Sequence, residues 1–126
     1  MKKFIPLLLI VVIVVFAACE PPNAVTRISA QEAYVMMGGL DSFVLLDVRT
    51  YGEFRQRRIA GAILIPYDNI NELALTKITD KNIVILVYCQ AGRRSAIASN
   101  ALASLGYTRI YDFGGINSWL FSTVSG

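Results

Sequence analysis

The feature that most constrains the fold is one junction, where an apolar run meets a glycine-containing loop and then a helix-forming run. The apolar run, 82–88, is rich in β-branched residues, which is typical of a parallel strand buried on both faces. Residues 95–105 are rich in Ala, Leu and Ser, and Gly106 follows where a helix C-cap glycine is expected. The junction therefore predicts a tight strand-to-helix turn that begins at Cys89, at the carboxyl end of a strand.

Apolar runs of strand length alternate with helix-forming runs along the rest of the sequence. The expected strands are 25–28, 43–48, 61–66, 82–88 and 109–111, and the expected helices are 29–39, 50–56, 67–75, 95–105 and 116–121. Such alternation predicts an α/β fold, with a mostly parallel central sheet of about five strands, helices on both faces and right-handed crossovers.

Three features beside Cys89 favour its ionised form. The N-terminus of the following helix carries partial positive charge and unpaired N–H groups. Gly92 lets the backbone curl its N–H groups around an anion, and Arg93 and Arg94 add two positive charges. A thiolate held in this way is a nucleophile. The alternative is that Cys89 is a small core residue, but an inert buried thiol does not need two guanidinium groups beside it.

Asp47 also falls at the carboxyl end of an expected strand, where ligands bind in parallel sheets. If the two strands are near neighbours, Asp47 reaches an arginine of the cysteine loop, and we favour an ion pair with Arg94 that fixes the loop. The alternative is that Asp47 is a turn or cap residue. Arg49 and Glu53 are expected to pair across one helical turn.

The absence of certain residue types excludes several kinds of chemistry. The sequence has no histidine, which removes Cys-His and Ser-His-Asp mechanisms and most zinc sites. Its two cysteines, Cys19 and Cys89, form no C-x-x-C pair, which disfavours thiol oxidoreductase chemistry of the thioredoxin kind. Two of the 12 basic residues are Lys2 and Lys3, and the other 10 outnumber the 9 acidic residues by only one. Net charge therefore gives no case for nucleic-acid binding.

The N-terminus has the pattern of a signal peptide. A basic start is followed by an apolar run, 4–18, that is shorter than the ~20 residues a membrane-spanning helix needs. Residues 16–19 resemble the bacterial lipoprotein cleavage box, although Phe16 stands where Leu is usual. We therefore expect a signal peptide at 1–18, a lipidated Cys19, a tether at 19–24 and a domain at 25–126, in a protein exported to the periplasm or the outer face of the cell membrane. Secretion with cleavage near residues 17–18 and no lipid is the alternative.

The loop Cys89-x-x-Gly92-x-Arg94-Ser95 resembles the active-site loop of single-domain rhodaneses, which are thiosulfate and persulfide sulfurtransferases. Residues 47–53, 58–62 and 114–119 resemble further rhodanese segments in the family's order, so the resemblance covers nearly all of 25–126. Where many relatives have His, this chain has Arg58, at a position usually read as structural. The resemblance implies a rhodanese-like fold.

The resemblance also implies roles for the loop residues. Cys89 attacks the outer sulfur of an anionic donor such as thiosulfate, and a thiol or cyanide then takes the sulfur from the persulfide. A cradle around the reacting sulfur is expected from the loop, which consists of Gln90, Ala91, Gly92, Arg93, Arg94 and Ser95. Arg93 is our choice for steering the donor, with a solvated rim charge as the alternative, and Asp47 and Arg49 are expected to support the loop. No cofactor or metal is expected.

Two other functions remain open. Cysteine phosphatases and arsenate reductases also hold a thiolate in a cradle, but they resemble one another in having five residues between the cysteine and the arginine. Here four residues separate Cys89 from Arg94. The second alternative is a membrane-tethered rhodanese-fold binding module without turnover, although inactive relatives often lack the cysteine.

Overall fold

The structure is a computed structural model that describes residues 23–126. The expected signal segment, 1–18, and the expected lipidation site, Cys19, lie outside the described residues and stay predictions. The strands are β1 Val25–Arg27, β2 Val44–Asp47, β3 Ile63–Leu64, β4 Ile85–Cys89 and β5 Ile110–Gly115, and the helices are α1 Ala30–Gly39, α2 Tyr51–Gln56, α3 Ile70–Lys77 and α4 Arg93–Ser104. Single 3-10 turns occupy Tyr67–Asn69 and Ile116–Ser118.

All five strands are parallel and lie in the order β1-β5-β4-β2-β3. The predicted α/β class and central sheet are thus confirmed. Because β4 lies between β5 and β2, its carboxyl end is flanked on both sides by other strand ends. Ligands bind at the carboxyl ends of strands in such sheets, so the end of β4 is the expected position of a binding or active site.

Two apolar cores lie on the two faces of the sheet. One core places strand residues such as Val87 against Ala74 of α3 and Leu102 of α4. The other packs the opposite strand side chains around Ala33 of α1 and Trp119. Successive strand residues point to opposite faces, so the nearly continuous apolar sequence of β4 contributes to both cores. Within residues 23–126, no helix has the length and apolarity needed to cross a membrane.

The strand expected at 61–66 is only Ile63–Leu64, and the last two expected elements also differ from those observed. The strand expected at 109–111 continues to Gly115, because Gly115 pairs with Cys89 at the end of the sheet. The helix expected at 116–121 is only a 3-10 turn, Ile116–Ser118, after which Trp119 takes extended backbone angles and enters the core. Gly114 and Gly115 are therefore the last two residues of a strand.

Candidate active site

The cysteine loop begins at the carboxyl end of β4. Cys89 is the last residue of that strand and is only 1% exposed. The backbone N–H of Gly92 donates a hydrogen bond to Cys89 Sγ at 3.0 Å. The loop is thus curled so tightly that its own backbone contacts the sulfur.

Gly92 makes this curl possible. Its φ of 119° lies in a region that L side chains rarely adopt, and it is the N-cap of α4. An N-cap glycine has no side chain to bond the first N–H groups of the helix, and these groups lack partners within the helix itself. Ser95 was expected to contribute to the cradle, but its buried hydroxyl donates to the Gly92 carbonyl at 3.0 Å and so closes the turn.

The expected ion pair between Asp47 and Arg94 is wrong. Arg94 instead makes two hydrogen bonds to the Glu53 carboxylate, at 2.7 and 2.9 Å. A capping box with Thr50 holds Glu53 in the first turn of α2. The hydrogen bonds from Arg94, and to a smaller extent those from Thr50, lower the pKa of Glu53 to about 2. The pair ties the start of α4 to α2.

This ion pair gives a pH-dependent prediction. Folding lowers the pKa of Glu53 from 4.5 to about 2, so ionised Glu53 stabilises the fold above about pH 4.5, and this stabilisation is lost as the pH falls toward 2. We expect Glu53→Gln to lower the free energy of unfolding by about 1 kcal/mol at pH 7 and to have no effect near pH 2. Urea unfolding across this range checks it, with the exposed Glu72→Gln as control. A difference that stays constant with pH would contradict the prediction.

Asp47 is paired with Arg49, two residues further along the chain. Both side chains are buried, and Arg49 donates from Nε at 3.0 Å and from Nη2 at 2.6 Å to the two carboxylate oxygens. Burial alone would lower the pKa of Arg49, but the hydrogen bond and charge of Asp47 raise it. The expected pairing of Arg49 with Glu53 is therefore wrong. The register opposes Asp47 and Tyr88, so the two strand ends are neighbours.

Arg49 connects this pair to the cysteine loop. Its Nη1 donates to Gln90 Oε1 at 3.2 Å, and Gln90 Nε2 donates to Asn117 Oδ1 at 2.8 Å. The backbone N–H of Asn117 also donates to the Gln90 carbonyl at 3.2 Å. The Gln90 side chain, which was expected to contribute to the cradle, is thus engaged in holding the loop to the neighbouring segment.

The two remaining loop residues are exposed. The Arg93 guanidinium lies 5.7 Å from the centre of the Tyr67 ring, which holds this positive charge at the rim. Ala91, Gly92 and Arg93 line a cavity of about 660 Å³ beside the loop. Among residues 23–126, no group of three His, Cys, Asp or Glu residues lies close enough together to hold a metal ion.

Sequence reasoning missed the importance of Gly115. A Cβ added there would lie 2.1 Å from the Gln90 carbonyl oxygen and 2.7 Å from the Ala91 backbone nitrogen. The loop backbone therefore rests directly on Gly115. The available signal was the pair of adjacent glycines, Gly114 and Gly115, together with the expected position of the loop at the same edge of the sheet.

The fold and site define a parallel α/β domain with a cysteine at a helix N-terminus, and comparison with known proteins places it in a family. Residues 29–121 match the rhodanese-like domain. The chain therefore belongs to the rhodanese-like family, as the sequence predicted.

Individual relatives support this membership. The chain is 37% identical to the thiosulfate sulfurtransferase PspE of Escherichia coli (strain K12) over 81 residues, covering 64% of this chain and 78% of that protein. It is 33% identical to the thiosulfate sulfurtransferase GlpE of Tolumonas auensis over 95 residues, covering 75% and 87%. A solved structure, a rhodanese with anions from E. coli, matches with a TM-score of 0.64 and 35% identity, covering 68% of this chain and all of that one.

Proposed function

We propose that this protein transfers sulfur from an anionic donor such as thiosulfate, through a persulfide on Cys89, to a thiol or cyanide. The Gly92 N–H that donates to Cys89 Sγ at the N-terminus of α4 is the observation that carries the proposal. A donated hydrogen bond and the positive end of a helix both stabilise negative charge on a sulfur at this position.

The first step needs no external oxidant or reductant. The Cys89 thiolate forms a bond to the outer sulfur of thiosulfate, the bond between the two sulfurs of thiosulfate breaks, and sulfite leaves with that electron pair. The N–H groups at the start of α4 are suited to stabilise negative charge on the transferred sulfur. The exposed Arg93 is suited to attract the dianionic donor. Curated relatives that carry the name thiosulfate sulfurtransferase also favour this donor.

The proposal is tested by incubating the protein with thiosulfate, removing the excess thiosulfate and measuring the mass of the intact protein by mass spectrometry. We expect a gain of one sulfur atom that a thiol reverses and that Cys89→Ser does not show. An unchanged mass in the wild type would overturn the transfer function and favour a binding module. Hydrolysis of an aryl phosphate that depends on Cys89 would favour a phosphatase, although the four-residue spacing from Cys89 to Arg94 disfavours it.

We also propose that the protein is exported and anchored by a lipid on Cys19. The basic start at 2–3, the apolar run at 4–18 and the cysteine that follows small residues support this proposal. The test is metabolic labelling with a fatty acid during expression in a bacterium. Label should enter the wild type and be absent from Cys19→Ala. Equal labelling of both, or of neither, would contradict the lipid anchor.

A further inference from the structure

The cavity beside the cysteine loop is lined by both charged and apolar groups. It has a volume of about 660 Å³ and lies between α4 and the ends of β1 and β5. Arg27, Arg93 and Asp112 supply its charges, and Ile97 and Phe113 supply apolar surface. A cavity of this size and mixed lining suits a small molecule that carries both signs of charge.

Asp112 is the feature that gives the cavity a chemical preference. The residue is only 4% exposed, and its Oδ1 accepts a hydrogen bond from the Gly114 N–H at 2.9 Å. Its Oδ2 accepts no hydrogen bond from any of residues 23–126, and Arg27 Nη2, at 4.0 Å from Oδ2, belongs to a side chain that is 74% exposed. A buried carboxylate with one open oxygen is an attractive partner for an ammonium group.

Gly92 belongs both to the lining of this cavity and to the loop around the reacting sulfur. Its backbone N–H donates to Cys89 Sγ. Gly114 lines the cavity as well, and a Cβ added to Gly92 would lie 3.7 Å from the Gly114 Cα. Two residues without side chains therefore lie where the cavity adjoins the loop that holds the sulfur.

We propose that this cavity binds the sulfur acceptor, and that the acceptor is a small zwitterionic thiol of the amino-acid type. Its ammonium group pairs with Asp112, and its carboxylate faces the guanidinium groups of Arg27 and Arg93. This inference rests on the proposed transferase function. In the transfer step the acceptor thiolate forms a bond to the outer sulfur of the Cys89 persulfide, the bond between the two persulfide sulfurs breaks, and its electron pair stays on Cys89 Sγ. The acceptor leaves as a persulfide, and no other reactant is consumed.

The experiment compares two thiols that differ only in the ammonium group, cysteine and 3-mercaptopropionate. Protein preloaded with sulfur from thiosulfate is mixed with each thiol at several concentrations. Mass spectrometry then measures how fast the protein loses the extra sulfur atom at each concentration. We expect cysteine to half-saturate the wild type at about a tenfold lower concentration than 3-mercaptopropionate does. A tenfold difference is the low end of what one charge-assisted hydrogen bond contributes to affinity. Both concentrations are counted as thiolate, because the ammonium group of cysteine also makes its thiol more acidic. Equal half-saturation by the two thiolates would overturn the proposal.

Asp112→Asn then assigns the preference to one residue. The amide oxygen of Asn can still accept from Gly114, so the local backbone contact has a replacement. The preference for cysteine should disappear in Asp112→Asn and persist in Asp41→Asn, a matched loss of charge at an exposed position near the opposite end of the strands. Persistence in both variants would overturn the assignment. If the wild type cannot be loaded at all, the transferase function fails, which is a separate outcome from loading without a thiol preference.

Discussion

Gly115→Ala is expected to disrupt the site more than any other change of a single methyl group. The added Cβ would lie 2.1 Å from the Gln90 carbonyl oxygen and 2.4 Å from its carbon, so the cysteine loop must move. The φ of Gly115 is −136°, an extended value that alanine also adopts, so the effect is one of contact and not of backbone preference. We expect a loss of about 3 kcal/mol in the free energy of unfolding. Sulfur transfer should fall about 100-fold, because a displacement near 1 Å has this effect on a reacting group.

A second glycine provides the control for this change. A Cβ added to Gly38 in α1 meets nothing within 4 Å, so Gly38→Ala should leave transfer unchanged and the stability equal or slightly higher. Chemical unfolding and the rate of thiocyanate formation from thiosulfate and cyanide check both variants. If Gly115→Ala matched Gly38→Ala in both measurements, the close contact between loop and strand would not exist in solution.

Asp47→Ala is expected to have the largest effect on stability among the charged residues. It would leave the buried Arg49 guanidinium without the carboxylate that accepts its Nε and Nη2 hydrogen bonds. An unpaired buried charge of this kind costs about 3–5 kcal/mol. Because Arg49 also donates to Gln90, transfer should fall as well, through a less ordered loop. Urea unfolding measures the first effect, and single-turnover loading with thiosulfate measures the second.

The double variant Asp47→Leu with Arg49→Met tests whether the two side chains stabilise the fold as a pair. Replacing both charges by apolar groups leaves no unpaired ion, so the double variant should be more stable than Asp47→Ala alone. Sulfur transfer by the double variant should remain slower than in the wild type, because Gln90 still lacks the hydrogen bond from Arg49. Additive losses would mean that the two side chains do not act as a pair.

The sequence predicted the fold and the cysteine loop well, because their signals are local. The apolar run before Cys89 and the glycine after it lie within a few residues of each other and dictate a strand, a turn and a helix. The alternation of such units then restricts the sheet to a parallel arrangement, which the structure confirms.

The pairing of charges could not be predicted in the same way. The number of acidic and basic residues near the loop allows several pairings, and only the direction of each side chain decides among them. Asp47 and Arg49 meet because Arg49 folds back across the end of its own strand, and Glu53 is left for Arg94 on the far side of the loop. The contact of Gly115 with Gln90 likewise depends on a distance between two chain segments, which no local pattern contains.

We propose that Cys89 accepts one sulfur atom and passes that same atom on. The most direct measurement uses thiosulfate that carries a heavy isotope only in its outer sulfur, followed by cyanide. The heavy atom should appear first on the Cys89 peptide and then in thiocyanate, while the released sulfite stays unlabelled. Heavy sulfite, or thiocyanate formed without label ever reaching Cys89, would contradict the account.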